Sequence, residues 1–596
     1  MSAGRRSPQI DPITFEVLNN AFRSIVDEMG ALLQTVAFSL VVSEGRDYSG
    51  TICTASGDLV SSGSTDLPAH LGTIPFTLKG LLEWIDAPAA EWFEPGDLAI
   101  INDAYIGGTH NNDVRIVMPV WHDGEIIAFV QNSAHWTDIG GGVPGTFDPN
   151  ARSSHGEGLI IPPLKLVRRG ELDRDLVRMI LRNVRMPELA YGDLLAQVGA
   201  SRLGARRLLE LVDRHGRDLV LAEMQALIAH SEKRLRTELS ALPDGTWSWD
   251  AKIDRDPGAD DDDPRWVCLD LSIAGDRMTL DFSRSSPQCK GAINGPRAVL
   301  GAAAVAALKA VFADVPMNQG LFNAVEFVAP PGLIVTAEYP APISGMAGTC
   351  YPSIIDCVLG CLIQITPERS MAGMCGLCNI VFGGYDPRPG YEREFVSYVW
   401  LEGGWGGRPA KKDNHTAMTL FGSSATNQPV EMQERVFPVR YDCYRYEPDS
   451  AGAGRHRGGF GVTRQWRLTH ADAVISDIGD RETRGSWGFA GGQDSLPNSF
   501  VYAPGTEEEE SIGMFRTGMR VRRDRPMRYH HSGGGGYGPP EERPPAWVLD
   551  DVVDGLVSVA AAESVYRVAI VEAASDPYGF VLDETRTADL RRQAAS

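Results

Sequence analysis

Residues 100–113 read IINDAYIGGTHNND, an apolar run that turns polar and passes through a glycine pair to a histidine and an aspartate. The glycines let the backbone turn sharply and approach a ligand closely. His110 and Asp113 are three residues apart and can converge on one ion if the loop is tight. The spacing therefore predicts a loop that presents a nitrogen and an oxygen donor beside a strand.

A second histidine has the same kind of setting. Residues 132–142 read NSAHWTDIGGG, so His135 ends an apolar strand, Asp138 follows three residues later and three glycines come next. Two histidines with one or two aspartates are donors that zinc, manganese and iron(II) accept, whereas calcium prefers oxygen alone. From these residues alone, a pair of glycine-rich turns with histidine and aspartate as capping residues remains the alternative.

Apolar periodicity elsewhere predicts both helices and strands. Helical spacing runs from residue 11 to residue 40, and a strand–turn–strand pattern covers residues 48–60. Within residues 98–135, two strands flank a turn at residues 122–124. Further helices are predicted over residues 173–242 (as one or two long helices), 298–312, 354–365 and 547–566, and acidic loops over residues 256–264, as a hairpin tip, and 507–510.

The length indicates more than one lobe. The chain has 596 residues, and one hydrophobic core stops growing at about 250–300 residues. The predicted fold class is mixed α/β, of the α+β kind and multi-lobed. A strand-rich metal-binding lobe is predicted over residues 1–240, a middle α+β lobe over residues 241–450, and a strand-rich C-terminal lobe with a final helix over residues 451–596.

The composition excludes some classes of partner. Hydrophobic residues make up 43% of the chain and charged residues 22%, which is ordinary for a globular protein. A formal net charge of -22 argues against nucleic acid and anionic membrane, because both favour a positive surface. No run approaches about 18 consecutive apolar residues, so no membrane span is expected. Residues 1–12 lack the apolar segment of a signal peptide, which favours the cytoplasm.

The nine cysteines are expected to be reduced thiols. Their number is odd, and most lie among apolar neighbours. Cys375 and Cys378 form a CxxC pair, but a structural zinc site normally needs a second pair, and the sequence has none at suitable spacing. No metal site is therefore expected at this pair.

The motif at residues 100–113 is similar to the signature of the hydantoinase B/oxoprolinase family. That family includes the B-type subunit of N-methylhydantoinase, the C-terminal half of 5-oxoprolinase, caprolactamase, and the metal subunit of acetone and acetophenone carboxylases. The resemblance covers nearly the whole chain. Further matching segments follow in family order: DPITFEVLNNAF (11–22), SEGRDYSGTICTASGDLV (43–60), LPAHLGTIP (67–75), NSAHWTDIGG (132–141), EGLIIPPLKL (157–166), NVRMPELAYGDLLAQ (183–197), MNQGLF (317–322), GGWGGRP (403–409), RYEPDSAGAGRHRGGFG (445–461) and SGGGGYG (532–538).

The resemblance implies one divalent metal ion, zinc or manganese, with iron as a third candidate. In RDYS, GGTHNND and SAHW, the family's metal ligands correspond to Asp47, His110, Asp113 and His135. Two imidazoles and two carboxylates leave room for a water or a substrate oxygen, as a catalytic site requires.

Three further side chains are candidates for roles near that ion. Asp138 and His70 are candidates for proton transfer, although a structural loop histidine is the alternative for His70. Asp103 is a candidate for orienting a ligand histidine, a role that Asp138 could share.

Some motifs depart from the family pattern. Asn102–Tyr105 stands where the family often has NDPY, and Trp136 follows His135 where a second histidine is common, so any role of that histidine is absent. Residues 345–350 (GMAGTC) replace a polar GN-V-E-T-type loop, a change that bears on substrate choice or subunit coupling. The SGGGGYG segment continues with two prolines rather than with the usual Asp-Pro.

No ATP site is predicted in this chain. The SGGGGYG segment lacks the Lys-Ser/Thr of a Walker A loop and the spacing of GxGxxG, so a tight turn or a subunit contact is the preferred interpretation. The resemblance implies that ATP and magnesium bind to a separate hydantoinase A-type ATPase subunit. It also implies a hetero-oligomer, such as a heterotetramer.

The implied activity is ATP-dependent hydrolysis of C–N bonds in a small cyclic amide, a lactam or a hydantoin. The partner would phosphorylate the amide oxygen, and the activated substrate would then meet metal-activated water in this subunit. The alternative is the metal subunit of an ATP-dependent ketone carboxylase, since the same ligands serve both chemistries. A non-catalytic scaffold with a vestigial metal is a third interpretation, and the intact ligand set argues against it.

Overall fold

The computed structural model describes residues 10–574 and 576–594. Residues 1–9, which carry most of the segment that predicts no signal peptide, lie outside them. The predicted mixed α/β fold class is confirmed, with helices and several separate sheets.

The N-terminal part is built on a seven-stranded sheet in the order β2-β1-β5-β4-β3-β6-β7. Its strands are β1 (Tyr48–Thr54), β2 (Leu59–Ser62), β3 (Leu98–Ile101), β4 (Asp113–His122), β5 (Glu125–His135), β6 (Leu164–Arg168) and β7 (Glu171–Leu172). Its helices are α1 (Pro12–Val36), α2 (Leu40–Ser43), α3 (Pro68–Trp84), α4 (Ala89–Trp92), α5 (Arg174–Arg182), α6 (Pro187–His215) and α7 (Arg217–Ser240).

Local chemistry explains the ends of these elements. The Asp11 side chain accepts hydrogen bonds from two backbone N–H groups of the first turn of α1, and Pro12 occupies the first helical position. β4 and β5 are joined at Asp123 and Gly124, both with positive φ, as a tight hairpin requires. Gly216 (φ 84°) separates α6 from α7, so residues 173–242 contain two long helices, as predicted, preceded by the short α5.

The middle part holds a four-stranded sheet in the order β11-β10-β9-β8. Its strands are β8 (Gly245–Ile253), β9 (Arg265–Ala274), β10 (Arg277–Asp281) and β11 (Val325–Val328), and its helices are α8 (Arg297–Val311), α9 (Gln319–Asn323) and α10 (Cys350–Ile365). The acidic loop at residues 256–264 connects β8 to β9, which confirms the predicted hairpin tip.

One helical segment, Met346–Ile365, is long and apolar enough to cross a membrane by length and composition alone. Residues 346–363 of that segment are buried inside the protein, where the helix packs against α8, β8 and β9. Burial of this kind is usual for the core helix of a globular protein.

The C-terminal part contains two larger sheets, in the orders β13-β12-β18-β21 and β16-β17-β22-β19-β20, and two small ones, β14-β15 and β23-β24. Its strands are β12 (Cys378–Asp386), β13 (Arg393–Leu401), β14 (Gly403–Gly404), β15 (Thr416–Ala417), β16 (Val439–Tyr446), β17 (Val462–Leu468), β18 (Ala473–Ile478), β19 (Ser499–Tyr502), β20 (Glu510–Ser511), β21 (Phe515–Val521), β22 (Pro526–His531), β23 (Ile570–Glu572) and β24 (Phe580–Leu582). Its helices are α11 (Val430–Val436), α12 (Pro545–Val553), α13 (Val559–Ser564) and α14 (Glu584–Ala594).

Two sequence predictions, the final helix and the lobe boundaries, concern this part of the fold. The single helix predicted over residues 547–566 is wrong: Gly555 (φ 70°) ends the first helix, and Ser558 caps the second, so α12 and α13 replace it. The lobe boundaries at residues 240 and 450 stay a prediction. Both larger sheets pair strands from before and after residue 450, β12 with β18 and β16 with β17.

Glycine-rich segments pack side by side in this part without forming a regular sheet. The N–H groups of Gly534, Gly535 and Gly536 donate to the carbonyls of Gly459, Gly373 and Gln493 at 2.8–3.0 Å. A Cβ on Gly535 would clash with the carbonyl group of Trp487. Only glycine permits such close backbone contact, which explains the four consecutive glycines in SGGGGYG.

Candidate metal centre

Three neighbouring strands bring the predicted ligands to one end of the N-terminal sheet. β4 begins at Asp113 and β5 ends at His135, and these residues lie opposite each other in the antiparallel pair. β1 pairs with the other edge of β5, so Asp47, which directly precedes β1, reaches the same end. His110 lies in the loop before β4, which turns at Gly107 (φ 100°). The strand register thus gathers four side chains that are scattered along the sequence.

The donor atoms of these side chains lie close enough together to bind a metal ion. His135 Nδ1 is 3.2 Å from Asp113 Oδ1 and 3.9 Å from Asp47 Oδ2. His110 Nε2 is 3.8 Å from Asp113 Oδ2. Donors bound about 2.0–2.2 Å from a tetrahedral ion lie about 3–4 Å from one another. The spacing fits a divalent cation bound by Asp113 with His110 and His135, while Asp47 and His70 form a second group that shares Asp113.

His70, on α3, contributes a third imidazole to the same cluster. Its Nε2 is 3.2 Å from Asp113 Oδ1 and 3.6 Å from Asp47 Oδ1. Its Nδ1 is 3.3 Å from Ser49 Oγ, while the Ser49 hydroxyl donates to the Tyr48 carbonyl at 2.8 Å. Because that hydroxyl has one proton, Nδ1 is the donor in the His70–Ser49 pair. With Nδ1 facing Ser49, Nε2 is the nitrogen that faces the two carboxylates and could bind a cation.

Burial and unpartnered atoms supply an independent test of the fit. Asp47 is 6% exposed, and Asp113, His135 and His70 are each 1% exposed. Burial lowers the pKa of His110 to about 3, which keeps that ring neutral and able to ligate, and burial raises the pKa of Asp47. Asp47 Oδ1 has no hydrogen-bond partner among the described residues. A buried carboxylate oxygen without a donor is costly, and a cation would satisfy it.

An aromatic wall that the sequence did not predict lies against the centre. Tyr398, on β13, stacks on the His135 ring with centroids 4.8 Å apart and on Phe147 with centroids 5.2 Å apart. The Tyr398 hydroxyl donates to Asn379 Oδ1 at 2.7 Å. No local signal marks Tyr398, since it reaches the centre from a different sheet.

A buried guanidinium also supports the ligands. Arg115 Nη2 lies 3.1 Å from the hydroxyl oxygen of Thr73 and 3.3 Å from that of Thr109, and Nη1 donates to the Asp113 carbonyl at 3.3 Å. The Thr109 hydroxyl in turn donates to Asp113 Oδ2. The available signal was an arginine within the apolar strand VRIVMPV, where a charge must have partners to be buried.

Two predicted residues lie outside the cluster. The Asp138 carboxylate accepts from the backbone N–H groups of Gly140, Gly145 and Arg185 and from the Arg185 guanidinium, at 2.8–3.0 Å. These bonds fix a loop to the start of α6 and favour a structural role over proton transfer. Asp103 caps a short helical turn by accepting from Tyr105 N at 2.9 Å, and within residues 10–574 none of its bonds reaches a ligand histidine.

The cysteines and Trp136 lie outside the metal centre. All nine thiols are free, and Cys375 and Cys378 belong to neither group of potential metal donors found among the described residues. Trp136, in place of a second histidine, is buried and donates from Nε1 to Gln197 Oε1 at 3.0 Å. It therefore anchors α6 to the sheet.

The sequence is similar to several proteins of one family. A family model described as hydantoinase B/oxoprolinase matches residues 11–540. The chain is 32% identical over 579 residues to the beta subunit of caprolactamase from Pseudomonas jessenii, covering 94% of this chain and 96% of that one. It is 29% identical over 600 residues to a protein of Pseudomonas sp. (strain NS671) that is named as the B-type subunit of a D-/L-hydantoinase, covering 98% of each.

Solved structures share the fold. An ATP-dependent caprolactamase from Pseudomonas jessenii matches with a TM-score of 0.87 and 29% identity, covering 98% of this chain and 100% of that chain. Nucleotide-free acetone carboxylase matches with a TM-score of 0.89 and 20% identity, covering 98% of this chain and 83% of that chain. The second likeness is one of fold alone.

Proposed function

The chain belongs to the hydantoinase B/oxoprolinase family, and we propose that it is the metal-dependent subunit of an ATP-dependent hydrolase of cyclic amides. The observation that carries the proposal is the buried cluster of carboxylates and imidazoles, in which Asp47 Oδ1 lacks a hydrogen-bond donor among the described residues. The relatives named as a caprolactamase and a hydantoinase subunit support a lactam or hydantoin as the substrate.

The residues of this chain would divide the work. Asp47, His110, Asp113 and His135 would hold the cation, and His70 would add a nitrogen through Nε2. When bound, a divalent cation supplies Lewis acidity that activates water and polarises a carbonyl. Tyr398 fixes the His135 ring by stacking, and Arg115 fixes Asp113 through Thr109. Burial of the whole cluster excludes bulk water from the activated substrate.

ATP is proposed to bind to a separate subunit of the hydantoinase A type. Related proteins are named as B-type or beta subunits, which implies a partner. Residues 534–536 of the glycine-rich segment donate their N–H groups to neighbouring backbone carbonyls, so these groups are not free to cradle phosphates. A hetero-oligomer is proposed on the same grounds.

The test is hydrolysis by the purified pair of subunits. We expect ATP-dependent ring opening of hydantoin, 5-oxoproline or ε-caprolactam without bicarbonate, and about one zinc, manganese or iron per chain by mass spectrometry. Asp47→Ala and His110→Ala should lose both metal and activity, whereas Asp103→Ala should keep both. Full metal content in Asp47→Ala and His110→Ala would refute the ligand assignment.

Carboxylation of a ketone is the second candidate. Its support is the fold of acetone carboxylase, although the greater identity to hydrolase subunits favours hydrolysis. Bicarbonate-dependent ATP turnover with acetone, and no ring opening of any lactam, would decide for this alternative.

A further inference from the structure

A partly open cavity of about 170 Å³ lies beside the metal centre. Its walls come from the segment between α1 and α2, α2 itself, the start of α6, the end of β12, β13 and the end of α11. Most of the lining is apolar: Leu40, Val41, Met186, Leu189, Val396 and Phe437.

Three members of the wall connect the cavity to the centre. Tyr398 lines the cavity and stacks on the ring of His135. Thr137 lines it two residues beyond His135. Val41 lines it as well, and its carbonyl accepts from Asp47 N at 3.1 Å. The Tyr398 ring therefore separates the cavity from His135, and the cavity wall also contacts the backbone of Asp47.

The one buried charged residue of the described lining is already paired. Asp386 is buried and forms an ion pair with Arg388 at 2.7 Å. Arg393 and Glu394 are exposed at the rim, and Arg393 lies 3.7 Å from Glu188. No described residue thus offers an unpaired buried charge here to select a charged ligand.

Size and polarity define what the cavity would take. A dry protein cavity of about 150 Å³ lined by aliphatic and aromatic side chains binds a molecule the size of benzene. Ligand sites generally combine an apolar recess with a few polar groups that fix orientation. The metal centre supplies the polar part in this case.

We infer that this cavity is the subsite for the hydrocarbon part of the substrate. A ring or substituent about the size of a phenyl group would lie against Val396 and Phe437, with the amide directed past Tyr398 towards the cation. This inference rests on the proposed function and narrows it to apolar lactams and hydantoins with an apolar substituent.

The first experiment measures binding without catalysis. Fluorobenzene is titrated into the full-length chain, and its line width is followed by ¹⁹F NMR. We expect saturable broadening with the wild type and at least about tenfold weaker binding in Leu189→Trp, which fills the cavity from α6. Leu195→Trp, at an exposed position of the same helix outside the lining, should bind as the wild type does.

The second experiment measures selectivity with the partner subunit and ATP. Leu189→Trp should raise the KM for 5-benzylhydantoin about tenfold or more and leave that for unsubstituted hydantoin within about twofold. Val396→Ala, which enlarges the cavity, should shift preference towards substituents larger than benzyl.

The outcomes of these experiments test the cavity assignment and the proposed function separately. Absence of fluorobenzene binding to the wild type, or equal binding by Leu189→Trp, would overturn the cavity assignment. An equal loss for both hydantoins would overturn it too. A pair of subunits that opens neither hydantoin would overturn the proposed function, while fluorobenzene binding would still decide whether the cavity takes a hydrocarbon group.

Discussion

Substitutions at Tyr398 test how the proposed ligands of the N-terminal sheet depend on the aromatic wall from β13. Its ring stacks on His135 with an interplanar angle of 28°, while its hydroxyl donates to Asn379 Oδ1. Tyr398→Phe removes the hydroxyl and keeps the ring. Tyr398→Ala removes both. The pair therefore separates the hydrogen bond from the aromatic wall.

The magnitudes follow from the burial of both partners. Asn379 is fully buried, and its amide nitrogen has no partner among the described residues, so removing the hydroxyl leaves a buried acceptor unpaired at a cost of about 1–3 kcal/mol. Truncation to alanine deletes a ring that is 4% exposed, and a cost of about 3–5 kcal/mol is expected. In Tyr398→Phe the stack on His135 persists, so metal content should stay at the wild-type level.

The assay combines urea unfolding, followed by tryptophan fluorescence, with metal analysis after dialysis against a chelator. The double variant Tyr398→Phe/Asn379→Val should be less destabilised than the sum of its single variants, because neither polar group is left alone. Metal loss in Tyr398→Phe as complete as in Tyr398→Ala would refute the role assigned to the ring. An unchanged unfolding free energy in Tyr398→Phe would refute the role assigned to the hydrogen bond.

Three further predictions concern other parts of the molecule. Burial lowers the pKa of His531 to about 3, so the unfolded chain binds more protons than the folded chain below about pH 6.5. The free energy of unfolding should therefore fall as pH falls from about 6.5 towards 3. His531→Gln should remove about 2 kcal/mol of the loss between about pH 7 and pH 5, as measured by urea unfolding. Gly535→Ala should lower the free energy of unfolding by about 1–3 kcal/mol, because a Cβ has no room beside the Trp487 carbonyl. The control Gly156→Ala, where the space is open, should change that free energy little. Equal effects of the two substitutions would contradict this packing. Arg115→Met should weaken metal affinity about 10–100-fold in chelator competition, because the hydrogen bonds that support Asp113 are lost. An unchanged affinity would show that the guanidinium does not position the ligand.

Local sequence patterns explain how the proposed ligands come to lie close together. Strand alternation and the turn at Asp123–Gly124 define the β4–β5 hairpin, and the register of that hairpin sets Asp113 opposite His135. Asp47 and His110 follow from motifs that flank the same strands. Every one of these residues belongs to a single sheet or to a loop directly beside it, but Asp47 was implied only by the family resemblance, because the residue patterns alone left glycine-rich turns as an alternative.

Other features depended on contacts that no local pattern encodes. Tyr398 reaches His135 through the packing of one sheet against another, and its own strand looks like any buried strand. Asp138 has the residue type and spacing of a catalytic acid, but its lone pairs are used by a loop and by Arg185. The break between α12 and α13 was missed because one glycine outweighed a continuous apolar periodicity.

The division of the centre between two sheets has a consequence for its assembly during synthesis. All five imidazole and carboxylate donors lie within the first 135 residues, whereas the aromatic wall belongs to a strand that emerges from the ribosome much later. We expect a nascent chain that ends shortly after α7 to capture a cation in a centre still open to solvent. Translation of β13 would then close the metal centre. The timing of metal delivery relative to elongation would therefore determine how readily the finished protein binds its metal ion.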